Sequence, residues 1–291
     1  MTTVQEYIRG VDPMTLRPDE VRRIARELRH LVSEPEARIA FGGNVVFEPL
    51  PEFLRVHLAH DGIAGAFYII EYGQVMQALL NADSELHRFE PNFLFLHFEL
   101  DELLSGFLQR REFGSPRGRG SAVSEIVARL TATVSAALAT TDAVIMLSNF
   151  VEHGYTGLGL ADWRSEFGER EFFATLNRQV AKQFCSEPRV QIVDLEGTTA
   201  TFGRSRVRDL RLYLLAKIAW HDSFLPVLAD ELTRHVKVSL DRTRKCLVVD
   251  LDNTLWAGVL TEEGARGIRV QTAPGAGPRI RGFDLKGDTH N

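Results

Sequence analysis

Cysteine is scarce in this chain: its 291 residues include only Cys185 and Cys246. Two thiols cannot make a disulfide framework, and neither sits at a zinc-ligand spacing. Excess positive charge is missing too. The formal net charge is −5 and the pI is near 6.0, so nothing draws the whole chain to nucleic acid or an anionic membrane. No unbroken apolar run approaches the roughly 20 residues of a membrane span. The opening MTTVQEYIRGVD lacks the apolar core of a secretory signal. These absences set an expectation of a reduced, cytoplasmic protein with no nucleic-acid or membrane partner.

What is present is ordinary for a folded protein: 44% hydrophobic and 25% charged residues, enough for one large core or two modest ones. PDEVRRIARELRHLVS (18–33) places Val21, Ile24, Ala25, Leu28 and Leu31 on one helical face, behind Pro18 and two acids. An alternation follows. Strands are expected at 38–43, 65–71, 92–100, 142–150, 189–196 and 244–252, with helices at 51–62, 74–82, 121–139, 169–184 and 223–236. The strands are continuous apolar runs, which is the pattern of a parallel sheet covered on both faces. QRREFGSPRGRG (109–120) reads as a surface loop, or as a basic lip for an acidic or phosphorylated partner.

Ligands of open parallel sheets gather beyond the carboxyl ends of the strands. The residues expected there are Gly42, Gly43 and Asn44, then Glu71 and Tyr72, Glu99 and Asp101, Ser148 to Phe150, and Asp194 with Glu196. His153 falls at the same edge, as a solvated loop histidine or a functional one.

Near the C-terminus the chain reads KCLVVDLDNTLWAGVLTEEG (245–264). Asp250 and Asp252 are two apart at a strand end, so their side chains point the same way. One carboxylate can attack phosphorus while the other protonates the leaving oxygen. Mg²⁺ would offset their repulsion from phosphate, and Thr254 could bind phosphoryl oxygens. Cys246, inside the apolar run, is a buried thiol or an acyl carrier.

This stretch resembles the first motif of the haloacid dehalogenase (HAD) phosphotransferases, and in particular that of FkbH-like proteins. RIAFGGNVVFEPL, LLNADSELHRFEPNFLFLHFELDEL, VIMLSNFVEHGY and the LNRQVA helix resemble the N-terminal half of the same proteins, so about residues 35–270 are covered. The resemblance implies an SGNH-hydrolase-like α/β domain followed by a HAD phosphatase domain. It further implies loading of a glyceryl unit from 1,3-bisphosphoglycerate onto an acyl carrier protein, in polyketide extender-unit biosynthesis. Asp250 is then the nucleophile, Asp252 the acid/base, and both hold Mg²⁺.

The chain departs from this pattern twice. Only 37 residues follow Thr254, too few for the later HAD strands, and QTAPGAGPRIRGFDLKGDTHN (271–291) reads as a disordered tail. Where SGNH enzymes carry a nucleophilic serine, Gly43 is followed by Asn44, whose amide cannot attack a carbonyl. The SNF stretch supplies Asn149 as a hydrogen-bond donor to a substrate oxygen. The expected Asp-x-x-His is replaced by Asp209-Leu210-Arg211-Leu212, and His221-Asp222 nearby suits a helix cap.

The expected organisation is a helical segment at 1–34, an SGNH-like (flavodoxin-like) three-layer α/β domain at 35–222, and a linking helix with the first HAD strand at 223–270. The expected site residues are Asp250 and Asp252 for catalysis and metal binding, with Thr254, Asn149, Asn44 and Gly43 for substrate. The expected partners are an acyl carrier protein and a phosphoglyceryl-type molecule. The function is FkbH-like Mg²⁺-dependent phosphoryl and glyceryl transfer, impaired by truncation. The alternatives are a non-catalytic module binding a carrier protein or its phosphopantetheine arm, and a hydrolase with an unrecognised nucleophile.

Overall fold

The computed structural model describes residues 8, 10–31, 34–109, 111–152, 154 and 156–243. Two compact units divide at Asp241/Arg242, and the fold below is that of the first. Five strands, β1 (Ala37–Gly43), β2 (Gly65–Ile69), β3 (Phe93–His97), β4 (Val144–Ser148) and β5 (Val190–Val193), form one sheet in the order β2-β1-β3-β4-β5. Every pairing is parallel. This is the expected α/β three-layer fold, with the flavodoxin-like strand order.

The continuous apolar strands divide their side chains between two cores. Ile39, Phe41, Phe93, Phe95, Met146 and Val193 face one core, and Ala40, Leu94, Leu96, Ile145 and Leu147 face the other. Successive strand residues point to opposite faces, so a sheet covered twice needs an unbroken apolar run. Over the first core lie α1 (Pro18–Leu31), α2 (Leu50–His60) and, towards the end of the domain, the helix Leu225–Ser239. Helix α1 buries Val21, Ile24, Ala25 and Leu28, while Leu31 at its end is exposed. Full burial of a Val, Ile or Leu side chain contributes roughly 1.5–3 kcal/mol.

The second core is covered by α3 (Val75–Leu80), α4 (Glu85–Phe89), α7 (Pro116–Thr140) and α8 (Glu169–Phe184), with α5 (Leu100–Leu103) and α6 (Ser105–Gln109) in the connection after β3. After β5 come α9 (Leu195–Phe202), α10 (Leu210–Ala216) and α11, the helix Leu225–Ser239.

One expectation is corrected. The insert 109–120 is not simply a surface loop or a basic lip, because Pro116 to Gly120 form the first turn of α7. Ser115 caps that turn by accepting from Gly118 N at 3.0 Å, and the proline sits where a helix tolerates it. Arg119, expected in solvent, is only 1% exposed. Its guanidinium donates to Phe167 O (2.5 Å), Phe113 O (2.9 Å) and Ser165 Oγ (3.0 Å).

Helix α7 is by length and composition alone apolar enough to cross a membrane, although it contains no long unbroken apolar run. Its buried side includes Ala122, Val123, Ile126, Leu130, Val134 and Ala137, which pack in the second core. Helix α11, close to the expected helix 223–236, places Leu225, Leu228, Ala229, Leu232 and Val236 in the first core. The strand 244–252 and the tail 271–291 lie outside the described residues.

Candidate functional site at the carboxyl edge

From β1 the chain moves outward to β2 and then returns across the sheet to β3, so the switch point lies between β1 and β3. A ligand crevice is expected there. In this protein two loops interlock across it. Asn44, just after β1, donates from Nδ2 to Glu99 O at 2.9 Å and accepts from Glu99 N at 2.7 Å. Both ends of the amide are thereby engaged with backbone, and the side chain is buried. Gly43 pairs with His97 in the β1–β3 ladder. A Cβ on Gly43 would lie 1.8 Å from His97 O, so only glycine fits. These two expected substrate residues therefore join the strands at the switch point.

Beside this clamp, His97 at the end of β3 bonds through Nδ1 to Ser148 Oγ at the end of β4, at 2.7 Å. Its Nε2 stands 3.4 Å from Glu99 Oε1. Glu99 is also paired with Arg208, whose guanidinium lies 4.2 Å from the Tyr213 ring centroid. Burial pushes the Glu99 carboxyl upward, but the neighbouring His97 ring and the Arg208 charge outweigh it and hold it down at about 2. Burial raises the Tyr213 phenol, and Asp101 and Glu99 raise it further, so it stays protonated. Lys217 completes the cluster, 2.9 Å from Asp101 and 4.9 Å from the Tyr213 centroid.

Asn149 is the third expected substrate residue. Its Nδ2 donates to Asp194 Oδ1 at 2.7 Å and its Oδ1 accepts from Glu196 N at 2.8 Å. One of its two N–H groups is thus committed to Asp194. Glu196 carries the network onward, accepting from Glu152 N at 2.7 Å and pairing with Arg204, while Glu152 pairs with Arg170.

A cavity of about 350 Å³ opens among these groups. Its apolar lining includes Val151, Val207, Ala219 and Trp220, and its charged lining among the described residues is Glu99, Glu152, Arg204 and Arg208. Trp220 packs against the His97 ring with centroids 4.8 Å apart. A larger hollow of about 680 Å³ follows the outer strand β2, lined by Arg29, Glu52, Arg55 and Phe67 among others. It contains none of the residues that follow the strand ends, so strand geometry favours the smaller one.

Among the described residues Asp209 has no histidine partner; it caps α10, accepting from Arg211 N (2.8 Å) and Leu212 N (3.3 Å). His221 bonds to Ser223 Oγ at 2.8 Å in the turn before α11. Asp250, Asp252, Thr254, Cys246 and His153 lie outside the described residues. Among the described residues no group of three or more His, Cys, Asp or Glu side chains is placed to hold a metal. Sequence reasoning missed His97, Arg204, Arg208 and Trp220. A histidine ending the apolar run FLFLH, and arginines four apart in GRSRVR, were the available signs.

Fold and edge together define a three-layer α/β domain with a ligand-sized cavity where such sheets place their sites. The family described as FkbH, N-terminal domain, matches residues 54–237, well over half of the chain, and the chain belongs to that family. Among curated proteins none matches the sequence. A similar solved structure is the N-terminal part of the protein BF1531 from Bacteroides fragilis, containing a phosphatase domain complexed with Mg. It shares 20% identity with a TM-score of 0.69, over 88% of this chain. This chain spans 66% of that one, so the likeness is one of fold. A GDSL-like lipase from Bacteroides thetaiotaomicron overlaps more loosely, with a TM-score of 0.39 and 14% identity, over 78% of this chain and all of that one (100%).

Proposed function

We propose that the chain is an FkbH-like protein of polyketide extender-unit biosynthesis, acting in the cytoplasm. In this reading the described domain receives the arm of an acyl carrier protein without itself catalysing, and phosphate chemistry belongs to the segment bearing Asp250 and Asp252. The observation that carries it is the charge balance of the carboxyl-edge cavity. Among the described residues its lining has two carboxylates, Glu99 and Glu152, and two guanidiniums, Arg204 and Arg208. Each guanidinium already has a carboxylate partner. A phosphate would have to displace those partners. A neutral arm of amides and a short hydroxyacyl end has no such conflict and can lie against Trp220 while bonding to the polar lining.

The buried Ser148 and the committed amides of Asn44 and Asn149 favour binding over catalysis in this domain. By the resemblance, Asp250 attacks the phosphorus of a phosphoglyceryl unit and Asp252 protonates the oxygen that leaves. The same two residues would hold Mg²⁺, which would offset the repulsion between carboxylate and phosphate.

The test is to incubate the full chain with Mg²⁺, 1,3-bisphosphoglycerate and a carrier bearing its arm, following carrier mass and phosphate release. Asp250→Asn is expected to abolish phosphate release. Trp220→Ala is expected to weaken binding of the arm-bearing carrier while leaving binding of the armless carrier unchanged. Equal binding of the arm-bearing carrier by wild type and Trp220→Ala would overturn the cavity's assigned role.

A further inference from the structure

Helix α10, LRLYLLA, is an unusual element for the surface of a folded domain. It buries only Tyr213, while Leu210, Leu212, Leu214 and Leu215 are 55%, 41%, 68% and 75% exposed. Four neighbouring leucines in water form an apolar patch of the kind that marks a contact site. The patch adjoins the cavity, because Leu210 is part of the cavity lining.

Its charge setting is equally local. Between Arg204 and Lys217 the chain carries five cations against one anion, Asp209, in a protein whose net charge is −5. Arg204, Arg208 and Lys217 are paired with Glu196, Glu99 and Asp101. Arg206 and Arg211 are exposed and form no ion pair among the described residues, Arg206 lying instead on the Phe202 ring. The patch therefore combines exposed leucines, of which Leu210 lines the cavity, with two guanidiniums that form no ion pair among the described residues.

From these relationships we infer that α10, with Arg206 and Arg211, is the docking face for an acidic partner protein. The inference rests on the proposed reading, in which this partner is the carrier that presents its arm to the neighbouring cavity. Apolar contact with Leu214 and Leu215 supplies holding, and the arginines supply orientation and a faster encounter. A partner face of opposite sign fits where a second copy, bearing the same arginines, would be repelled.

The experiment uses the full chain and an acidic acyl carrier protein in its armless form, titrated by fluorescence anisotropy at low and high salt. Arg206→Glu with Arg211→Glu is expected to weaken binding at least tenfold at low salt and to remove most of the salt dependence. Leu214→Ser with Leu215→Ser is expected to weaken it at least fivefold at both salt levels. All four residues are exposed, so circular dichroism and thermal midpoints should stay at wild-type values. Unchanged affinity in both double variants would overturn the docking face, even if Trp220→Ala still weakens the arm-bearing carrier. Loss of armless binding in the α10 variants, with no effect of Trp220→Ala, would keep the docking face and remove the cavity reading. Binding to phosphatidylglycerol vesicles, or self-association, lost in the same variants while the carrier never binds, would overturn the inference in favour of a lipid surface or a second copy.

Discussion

His97 Nδ1 lies 2.7 Å from Ser148 Oγ, tying the end of β3 to the end of β4. A histidine bonded to a serine, with a glutamate on the far side of the ring, has the composition of a hydrolytic triad. Its setting argues otherwise. Ser148 is 3% exposed, does not line the cavity, and the ring stands against Trp220. We expect no turnover of a short-chain ester above background in the wild type, and none in Ser148→Ala. Truncation should instead lower stability by about 1–3 kcal/mol, because a buried ring nitrogen loses its partner. Steady ester turnover that disappears in Ser148→Ala would show that the dyad is catalytic.

Two glycines separate close approach from mere flexibility. Gly43→Ala places its Cβ 1.8 Å from a backbone oxygen of the paired strand, and neither strand can shift without disturbing their shared register. Overpacking typically costs about 1–3 kcal/mol, and with backbone on both sides the loss should reach or exceed the top of that range. Gly120, in the first turns of α7, has open space where a Cβ would go. Gly120→Ala should stabilise by about 0.5–1 kcal/mol through helix propensity. Urea denaturation of both variants checks the opposite signs.

The legibility of this fold in its sequence follows from range. Strand runs such as FLFLH and VIMLS show their burial in their own composition, and the helix 169–184 was bounded correctly by its periodicity. The short helices α4, α9 and α10 carry too few turns for a period to stand out. Asn44 and Asn149 were placed at the right edge, but their roles depend on partners 55 and 47 residues away. No local pattern contains those partners. Arg119 was unreadable for the same reason: within RGRG it looks solvated, and only Phe167 and Ser165 make its burial possible.

Arg119 gives the next prediction. Its three hydrogen bonds join the start of α7 to Phe113 and to the 165–167 segment. Arg119→Met keeps much of the volume but leaves two backbone carbonyls without this donor, and should cost about 2–4 kcal/mol. Arg119→Lys should rescue little, since a single ammonium cannot span the positions that the planar fork reaches. A lysine variant as stable as wild type in urea would show that the charge alone matters.

The last prediction concerns pH. His57 on α2 is 5% exposed, and its Nε2 has no hydrogen-bond partner among the described residues. Burial lowers its pKa from 6.5 to about 4, with Asp230 opposing and His60 assisting the shift. The folded state thus binds this proton more weakly than the unfolded chain does. Between pH 6.5 and 4 the unfolded state carries the extra proton, so the contribution of His57 is complete above pH 6.5 and is lost as pH falls towards 4. A difference of that size corresponds to about 3 kcal/mol as an upper value. His57→Leu keeps the site apolar and removes the titration. In unfolding free energies measured in urea from pH 7 to pH 4.5, the wild type should lose stability relative to the variant as pH falls. His235, also lowered by burial, remains in both proteins and drops out of the difference. Parallel curves across this range would mean that His57 gains a proton as readily in the folded protein as in the unfolded chain.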